Sequence, residues 1–273
     1  MTQRSGMSAT GEPVAGAAAH AVYVYGVVRV DQAAPESFPA GVAGGEAPVR
    51  LVEQDGLAVV VSDVPSGWSA ATRADVEAHE RVLGALVQER TVVPMRFGMV
   101  LDSDDAAREV LLNRHRGQID ELLTRLDGHV QMSVKAFYVE EGLLREVLRQ
   151  HPELKRRSDA LGDLPIQTSE SERIALGRDV AHAVEQQRAH DQSLLAEPLA
   201  AAVREIRLEA LRSDRLALNA QLLVAKNRQS DLDAAVERLT AEHRDRFAFR
   251  YVGPVAPYSF ADLALDAQEN SWD

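Results

Sequence analysis

The segment that most constrains this chain lies near its end, where an alternating strand runs directly into a proline-rich turn. Phe247, Phe249 and Tyr251 point to one side of the predicted strand, while small, charged or aliphatic residues point to the other. Gly253–Pro254 and Pro257–Phe260 form the turn that follows. Five aromatic residues fall within this segment of a chain that is only 5% aromatic. Because the turn holds no metal ligand and no paired acid, we expect it to dock other elements rather than to catalyse a reaction.

Composition excludes several classes of protein. The 273 residues, 45% of them hydrophobic, suffice for two domains or one large one. No apolar run is long enough for a transmembrane helix, and the N-terminus lacks a secretory pattern, so we expect a cytoplasmic protein. The chain has no cysteine, which excludes disulfides, thiolate metal sites and thiol nucleophiles. A net charge of -12 argues against binding to nucleic acid or to an anionic lipid membrane, since both require basic surface.

The first predicted strand spans residues 21–30 and alternates along its length. Tyr23 and Tyr25 share one face, and Val28 is assigned to the other. Gly26 either weakens the strand or marks a bulge or a close contact. The strand therefore predicts an early sheet with an irregularity at its glycine.

A hairpin and a helix are predicted next. Asp55–Gly56 is a turn signal between a short strand, 50–53, and an apolar strand, 57–61, which we expect to be central in its sheet. Thr72 with Asp75 three residues later predicts the start of an amphipathic helix. Its core-facing stripe is expected to contain Val76, His79, Leu83, Leu86 and Arg90.

Proline and glycine divide the middle of the chain. Segment 91–101 is strand-like, but Pro94 cannot donate to a ladder, so this strand is predicted to be an edge or to be interrupted. Ser103 is predicted to cap the next helix. Asp127–Gly128 ends that helix, and we place a domain boundary there. The buried stripe of the helix is predicted to be Leu111, His115, Ile119, Leu122 and Leu126.

The second half predicts a strand, a helix, a helical insertion, a strand, a helix and a strand. Residues 155–169 are polar and predicted to be a linker. A helical region should follow from Ser169 to about Arg212, kinked or split at Pro198. Ser230 with Asp233 is predicted to cap the last helix. This order resembles the split βαβ sheet of ferredoxin-like folds with one strand not identified.

These elements predict an α+β fold with two α+β domains, the C-terminal one a modified ferredoxin-like fold with a helical insertion. The expected divisions are a disordered tail at 1–20, an N-terminal domain at 21–128, a C-terminal domain at 129–265 with a helical subdomain at about 155–212, and a tail at 266–273.

Side chains that could support chemistry are scattered. His182, Glu185 and His190 lie on one predicted helix, but a metal site needs further ligands from elsewhere, and solvated polar faces explain the pattern. His79 on an apolar stripe is expected to be a half-buried structural histidine. There is no phosphate-binding glycine loop and no nucleophile elbow around Ser259. We therefore predict no catalytic residue, no cofactor and no metal.

Arg96 is the most unusual charge because it lies between Met95 and Phe97 in an apolar segment. Two interpretations are open. It could be a paired arginine, or one that extends to the rim of the sheet. Alternatively, it could bind a carboxylate of a partner through its two-pronged guanidinium.

Two motifs, Val92–Gly98 and Gly253–Phe260, resemble the gas vesicle protein GvpL/GvpF family. The strands Val22–Gly26 and Leu218–Val224 resemble that family as well, so the resemblance covers nearly everything except the tails. The chain departs from the family pattern at Val255–Ala256, where the family commonly has Trp-Pro. The motif residues, which are also a possible interaction site, are Pro94, Arg96, Phe97, Gly98, Gly253, Pro254, Pro257, Tyr258, Ser259 and Phe260.

The resemblance implies a non-enzymatic accessory protein of gas vesicles, a minor structural or assembly component located at the vesicle or in the cytoplasm. It also implies partners: the small shell protein, other vesicle accessory proteins, or both. A different class of function remains as an alternative, namely a ligand-binding or enzymatic protein with a cleft between its domains. In that case His79, Glu80 and Arg96 would meet in the cleft.

Overall fold

The computed structural model describes residues 20–31, 37–69, 72–140, 142–162 and 166–264. Within these residues the chain forms two antiparallel sheets and seven α-helices. The predicted tails lie almost wholly outside the described residues, although His20 already belongs to the first strand. The strands are β1 (His20–Arg29), β2 (Arg50–Gln54), β3 (Leu57–Pro65), β4 (Val92–Pro94), β5 (Val100–Leu101), β6 (His129–Tyr138), β7 (Glu205–Leu208), β8 (Leu216–Ala225) and β9 (Phe247–Val255). The helices are α1 (Arg73–Glu89), α2 (Asp104–Ala107), α3 (Arg116–Leu126), α4 (Gly142–Gln150), α5 (Pro152–Gly162), α6 (Ile166–Ala200) and α7 (Gln229–His243).

The first sheet has the strand order β2-β3-β1-β4, and β5 also pairs with β1. The hairpin turn at Asp55–Gly56 and the inner position of β3 are confirmed. The interruption expected at Pro94 is also present, because β4 and β5 pair separately with β1. The prediction for Val28 was wrong. A register shift between Val24 and Gly26 adds a residue to β1, and Val28 therefore joins the face of the tyrosines.

Both faces of the first sheet are covered by helices. The tyrosine face packs against α1, which begins with the predicted capping box of Thr72 and Asp75. The opposite face packs against α2, α3 and the π-helical stretch Arg108–Arg114 that joins them. Val76 was wrongly placed on the buried stripe of α1, since it is 41% exposed. The burial of both faces explains why β3 is apolar at nearly every position.

The second sheet has the antiparallel strand order β7-β8-β6-β9, so β6 pairs with the second sheet. The buried residues of α4 to α7 form one hydrophobic cluster with Val130, Val134 and Tyr138 of β6. These three residues occupy alternate positions, so one face of the strand packs against the helices. The predicted faces of β9 are also confirmed, with Phe247 buried and Ala248 exposed.

Three predictions in the second half were wrong. The expected linker at 155–169 is largely helical, forming most of α5 and the start of α6. The expected helical region does not reach Arg212, because α6 ends at Ala200 with Pro198 in its last turn. Glu205–Leu208 instead forms β7, the strand that was not identified, which pairs with the free edge of β8. Proline prevents continuation of the helix, and the backbone groups along β8 provide the alternative hydrogen bonds.

Two details of helix burial and capping also differ from expectation. Ser230 does not cap α7, whose N-cap is Arg228 without a side-chain cap bond. Ile174 has the spacing of the apolar residues along α6, which would predict burial, but it is 57% exposed. Helical spacing alone overestimated how many side chains of α6 are buried, because this helix of 35 residues extends beyond the sheet that it covers.

Candidate interaction cleft between the two sheets

The first motif forms a short loop that leaves β1 and returns to it. The backbone N–H of Met95 donates to Tyr25 at 2.9 Å, and that of Val24 donates to the carbonyl of Met99 at 2.9 Å. Gly98 has a φ of 102°, a conformation that favours glycine, and its N–H donates to the hydroxyl of Tyr23 at 3.0 Å. The loop therefore projects Arg96 to the exterior.

The second motif begins with a close approach between β9 and β6. Gly253 precedes a cis peptide bond to Pro254 and has a φ of 145°. A Cβ atom at Gly253 would lie 2.9 Å from the carbonyl oxygen of Gln131 and would collide with Met132. Only glycine therefore fits between these strands. Gly253 and Pro254 set the path of the chain, but they are not among the residues that line the cleft described below.

The residues after β9, 256–263, form a C-terminal turn that joins the two halves of the molecule. The backbone N–H of Ser259 donates to the side chain of Gln131 at 2.9 Å. The carbonyls of Ser259 and Phe260 accept hydrogen bonds from Arg207 and Arg125, respectively. Phe260 is fully buried in the hydrophobic cluster beneath the first sheet. The C-terminal turn is thus held by residues of both halves.

The two motifs line a single cleft of about 570 Å³. Pro94, Arg96 and Phe97 of the first motif and Tyr258 of the second contribute to it. Gly98, Pro257, Ser259 and Phe260 belong to the same segments without being among its lining residues. Met95, inside the first motif, also lines the cleft, and sequence reasoning missed the rest of the lining, which follows the two motifs closely: Met99, Ala261, Asp262, Leu263 and Ala264.

A buried histidine lies behind the cleft. His79 on α1 is fully buried, and its Nδ1 atom is hydrogen-bonded to the hydroxyl of Tyr23 at 2.9 Å. The rings of Tyr25 and Tyr258 stack against it, at 5.7 and 6.2 Å between ring centroids. Burial lowers the pKa of His79 to about 4 and raises the pKa of Tyr258 above its ordinary value. The hydroxyl of Tyr258 donates to Glu80 at 3.0 Å, so this aromatic cluster also connects the C-terminal turn to α1.

The sequence matches a known protein family. The family model for gas vesicle synthesis protein GvpL/GvpF matches residues 21–262, nearly the whole described chain. The chain belongs to the GvpL/GvpF family. This family consists of gas vesicle proteins and is not a class of enzymes. Both motifs lie inside the matched region, which also contains every residue that lines the cleft except Leu263 and Ala264.

Individual family members agree with this assignment. The chain is 35% identical to gas vesicle protein F of a Streptomyces strain, over 88% of this chain and 99% of that protein. It is 29% identical to gas vesicle protein F of Haloferax mediterranei, over 91% of this chain and 96% of that protein. The fold matches the crystal structure of GvpF from an Anabaena strain, with a TM-score of 0.80 and 24% identity, over 90% of this chain and 100% of that one. GvpF from Microcystis aeruginosa matches with a TM-score of 0.74 and 25% identity, over 89% and 99%.

Arg96 is an exposed, positively charged residue that lines the cleft of this GvpL/GvpF protein. It is exposed and makes no hydrogen bond or ion pair with any other described residue. The carboxylate of Asp262, which also lines the cleft, is bound by Arg207 at 2.6 Å. No described residue pairs with Arg96, so an arginine that extends to the rim of the sheet and one that binds a partner's carboxylate both remain predictions.

The possible catalytic group of His79, Glu80 and Arg96 does not form an accessible set. His79 has no exposed surface, and Glu80 accepts the hydrogen bond of Tyr258. In the part of the chain that the structure describes, no three acidic or histidine side chains are grouped so that they could hold a metal ion. None of its helices has both the length and the apolar character needed to cross a membrane.

The departure at Val255–Ala256 changes buried surface as well as exposed surface. Ala256 is only 1% exposed, and Val255 is half-buried. Since Ala256 packs inside the protein, a larger residue at this position would have to be accommodated in the core. At the position of the family's tryptophan the chain has a half-buried valine, and at that of its proline a buried alanine.

Proposed function

We propose that this GvpL/GvpF protein is an accessory component of gas vesicles, a minor structural or assembly protein that is not an enzyme. It binds the small shell protein, other vesicle accessory proteins, or both, and it is located at the gas vesicle or in the cytoplasm. The observation that carries this proposal is the convergence of two sequence-distant family motifs on one cleft. Membership of a gas vesicle family supports the biological context.

The chemistry of the cleft supports binding of a protein segment. The exposed guanidinium of Arg96 has no partner among the described residues, and its planar donors match a carboxylate. Phe97 and Tyr258 provide partly exposed aromatic surface beside it, and aromatic residues together with arginine contribute strongly to protein interfaces. A partner segment with one carboxylate next to an apolar side chain fits these groups.

The domain organisation is part of the same proposal. We infer two α+β domains at 21–128 and 129–265, the second a modified ferredoxin-like fold with α5 and α6 in its helical insertion. In chain order the strands of the second sheet are arranged 2-3-1-4, all antiparallel, which supports a split βαβ arrangement. The domains would be closely joined, since each hydrophobic cluster contains residues from both.

A pull-down from vesicle-forming cells tests the binding role. The tagged wild-type chain is expected to retain vesicle proteins, and Arg96→Ala to retain much less of them while folding normally. Arg238→Ala is a matched control, because Arg238 is exposed on α7 and does not line the cleft. Retention of no vesicle protein by the wild type, or equal retention by Arg96→Ala, would contradict binding at the cleft.

Deletion of the gene tests the assembly role independently. We expect fewer or malformed vesicles in the deletion strain and recovery with the wild-type gene. Normal vesicles in normal number would rule out an essential role in assembly, whatever the pull-down shows.

A further inference from the structure

One face of the second sheet packs against α4 to α7, and the other face is covered only at one end, where Leu223 joins the cluster beneath the first sheet. The side chains that face α4 to α7 are those of Val130, Val134 and their neighbours on alternate positions. The other face carries charged, polar and apolar side chains in register across three strands. We call this the open face, and its members considered below are Ser133, Lys135, Phe137, Asn219, Ala248, Arg250 and Val252.

Two positive charges are placed directly opposite each other on the open face. Lys135 of β6 is the register partner of Arg250 of β9, so the two side chains leave the sheet side by side. Like charges in such a cross-strand pair are destabilising. On the other side of Lys135 lies Asn219, which is 9% exposed and whose Oδ1 atom has no hydrogen-bond partner among the described residues. The arrangement is therefore not explained by stability of the free chain.

Nearby carboxylates of the described chain do not neutralise this pair. Glu205 and Asp262 are both engaged by Arg207, at 3.0 and 2.6 Å. Glu209 follows β7 and its backbone N–H donates to the carbonyl of Asn219 on β8. It therefore lies two strand spacings from Lys135 on β6, a distance of about 10 Å. Neither Lys135 nor Arg250 forms an ion pair with a described residue. The open face thus keeps uncompensated positive charge on a chain whose net charge is -12.

Apolar side chains flank the charged pair along both strands. Val252 is 43% exposed, Ala248 is exposed, and Phe137 is half-buried. Ala248 pairs with Phe137, and Val252 with Ser133, so the apolar positions lie one row away from the charges on either side. A surface of this composition matches a segment in which carboxylates alternate with apolar side chains.

We propose that the open face binds an acidic, amphipathic segment of a protein partner, with a carboxylate between Lys135 and Arg250. This surface is distinct from the cleft at Arg96 and does not depend on the function proposed for it. The negative charge of the whole chain repels a polyanion such as nucleic acid over long distances, and the flanking apolar side chains do not suit a phosphate backbone. A short acidic protein segment brings fewer charges and uses the apolar positions.

The binding experiment uses a synthetic peptide that alternates glutamate and valine, titrated calorimetrically into the full chain. The expected result is binding that weakens about ten-fold or more in the double variant K135E/R250E. Arg238→Glu, a reversal of the same sign on α7, is expected to leave the affinity unchanged. A peptide with glutamine in place of glutamate should bind much more weakly than the acidic peptide.

Three results would overturn the proposal. They are no measurable binding of the acidic peptide to the wild type, equal binding to the double variant, and equal or tighter binding of inorganic phosphate or short duplex DNA at the same residues.

The stability of the free chain gives a second measurement. If the like-charged pair is held for a partner, Lys135→Gln should leave the melting temperature unchanged or raise it, because repulsion from Arg250 is removed. A clear fall in melting temperature would show that Lys135 stabilises the fold itself and would overturn the inference.

Discussion

The two sheets of this protein differ in how many of their faces are buried. The first sheet is covered by α1 on one face and by α2 and α3 on the other. The second sheet receives its helices on one face only, and charged side chains remain on the open face. The first sheet is therefore constrained by packing on both faces, whereas part of one face of the second sheet remains exposed.

The two sheets also depend on each other unequally. The cover of the first sheet includes Phe260, which arrives from the C-terminal turn after the second sheet is complete. Leu223 of β8 contributes to the same cluster. The first sheet therefore requires the second half of the chain to complete its core, and the following four predictions test this contrast.

The largest effect is expected from a polar residue in the first sheet. Val59→Asn places an amide in a position with no exposed surface and should lower the free energy of unfolding by about 4 kcal/mol. The matched change Ser133→Asn on the open face should stay within about 0.5 kcal/mol. Urea denaturation of both variants measures the difference. Equal losses would show that the two sheets do not differ as described.

Removal of the shared core residue should have the next largest effect. Phe260→Ala deletes a fully buried ring and should cost about 3 to 4 kcal/mol in urea denaturation. Leu208→Ala is the control, because Leu208 is 48% exposed and should cost less than about 1 kcal/mol. A small effect at Phe260 would mean that the first sheet does not need the C-terminal turn.

The buried histidine on α1, His79, should make the free energy of unfolding depend on pH. The pKa of His79 is lowered from 6.5 to about 4, so the unfolded chain binds a proton that the folded chain excludes. This contribution is complete above pH 6.5 and is lost as the pH falls towards 4, a change of about 3 kcal/mol. His79→Gln should remove that part of the pH dependence of unfolding, whereas His182→Gln, at an exposed site, should not. Identical pH profiles for wild type and His79→Gln would refute the role of this histidine.

The smallest effect is expected at Tyr258, where the C-terminal turn contacts α1. Tyr258→Phe keeps the ring against His79 but removes the hydrogen bond to Glu80, and should cost about 1 kcal/mol. A double-mutant cycle with Glu80→Gln isolates this bond, because the second substitution should cost little once Tyr258 has been changed. Additive losses would show that the two side chains do not interact.

Local sequence signals predicted much of the fold. The capping box at Thr72, the hairpin at Asp55–Gly56 and the alternation of β9 all act within a few residues, and each is present. Pro94 correctly indicated an interrupted strand. These predictions succeeded because the responsible interactions are short-range and depend on single residue types.

The failures arose where a distant element provided the deciding contacts. Glu205–Leu208 is a strand because the edge of β8 was free to pair with it. Val28 changed faces because of a bulge whose geometry is set between β1 and its neighbours. Val76 and Ile174 have helical spacing but meet no partner surface. Periodicity shows which residues could share a face, but not whether another element covers that face.

The candidate cleft shows the same division. The motif sequences indicated which residues to examine, including Arg96 and Tyr258. The sequence could not show that loops separated by most of the chain meet, or that Met99 and Asp262 complete the lining. It also could not show that Phe260 is buried beneath the first sheet while Arg96 remains exposed.

By itself, the sequence determined the class of the protein, most of its strands and helices, and the interruption of the strand at Pro94. These follow from local backbone geometry and from the alternation of apolar residues. Only the tertiary structure decided that the aromatic C-terminal segment fastens the two halves together, that it encloses a cleft with the first motif, and that one sheet face stays open. Those outcomes depend on contacts between distant residues, whose free energies exist only once the whole chain has folded.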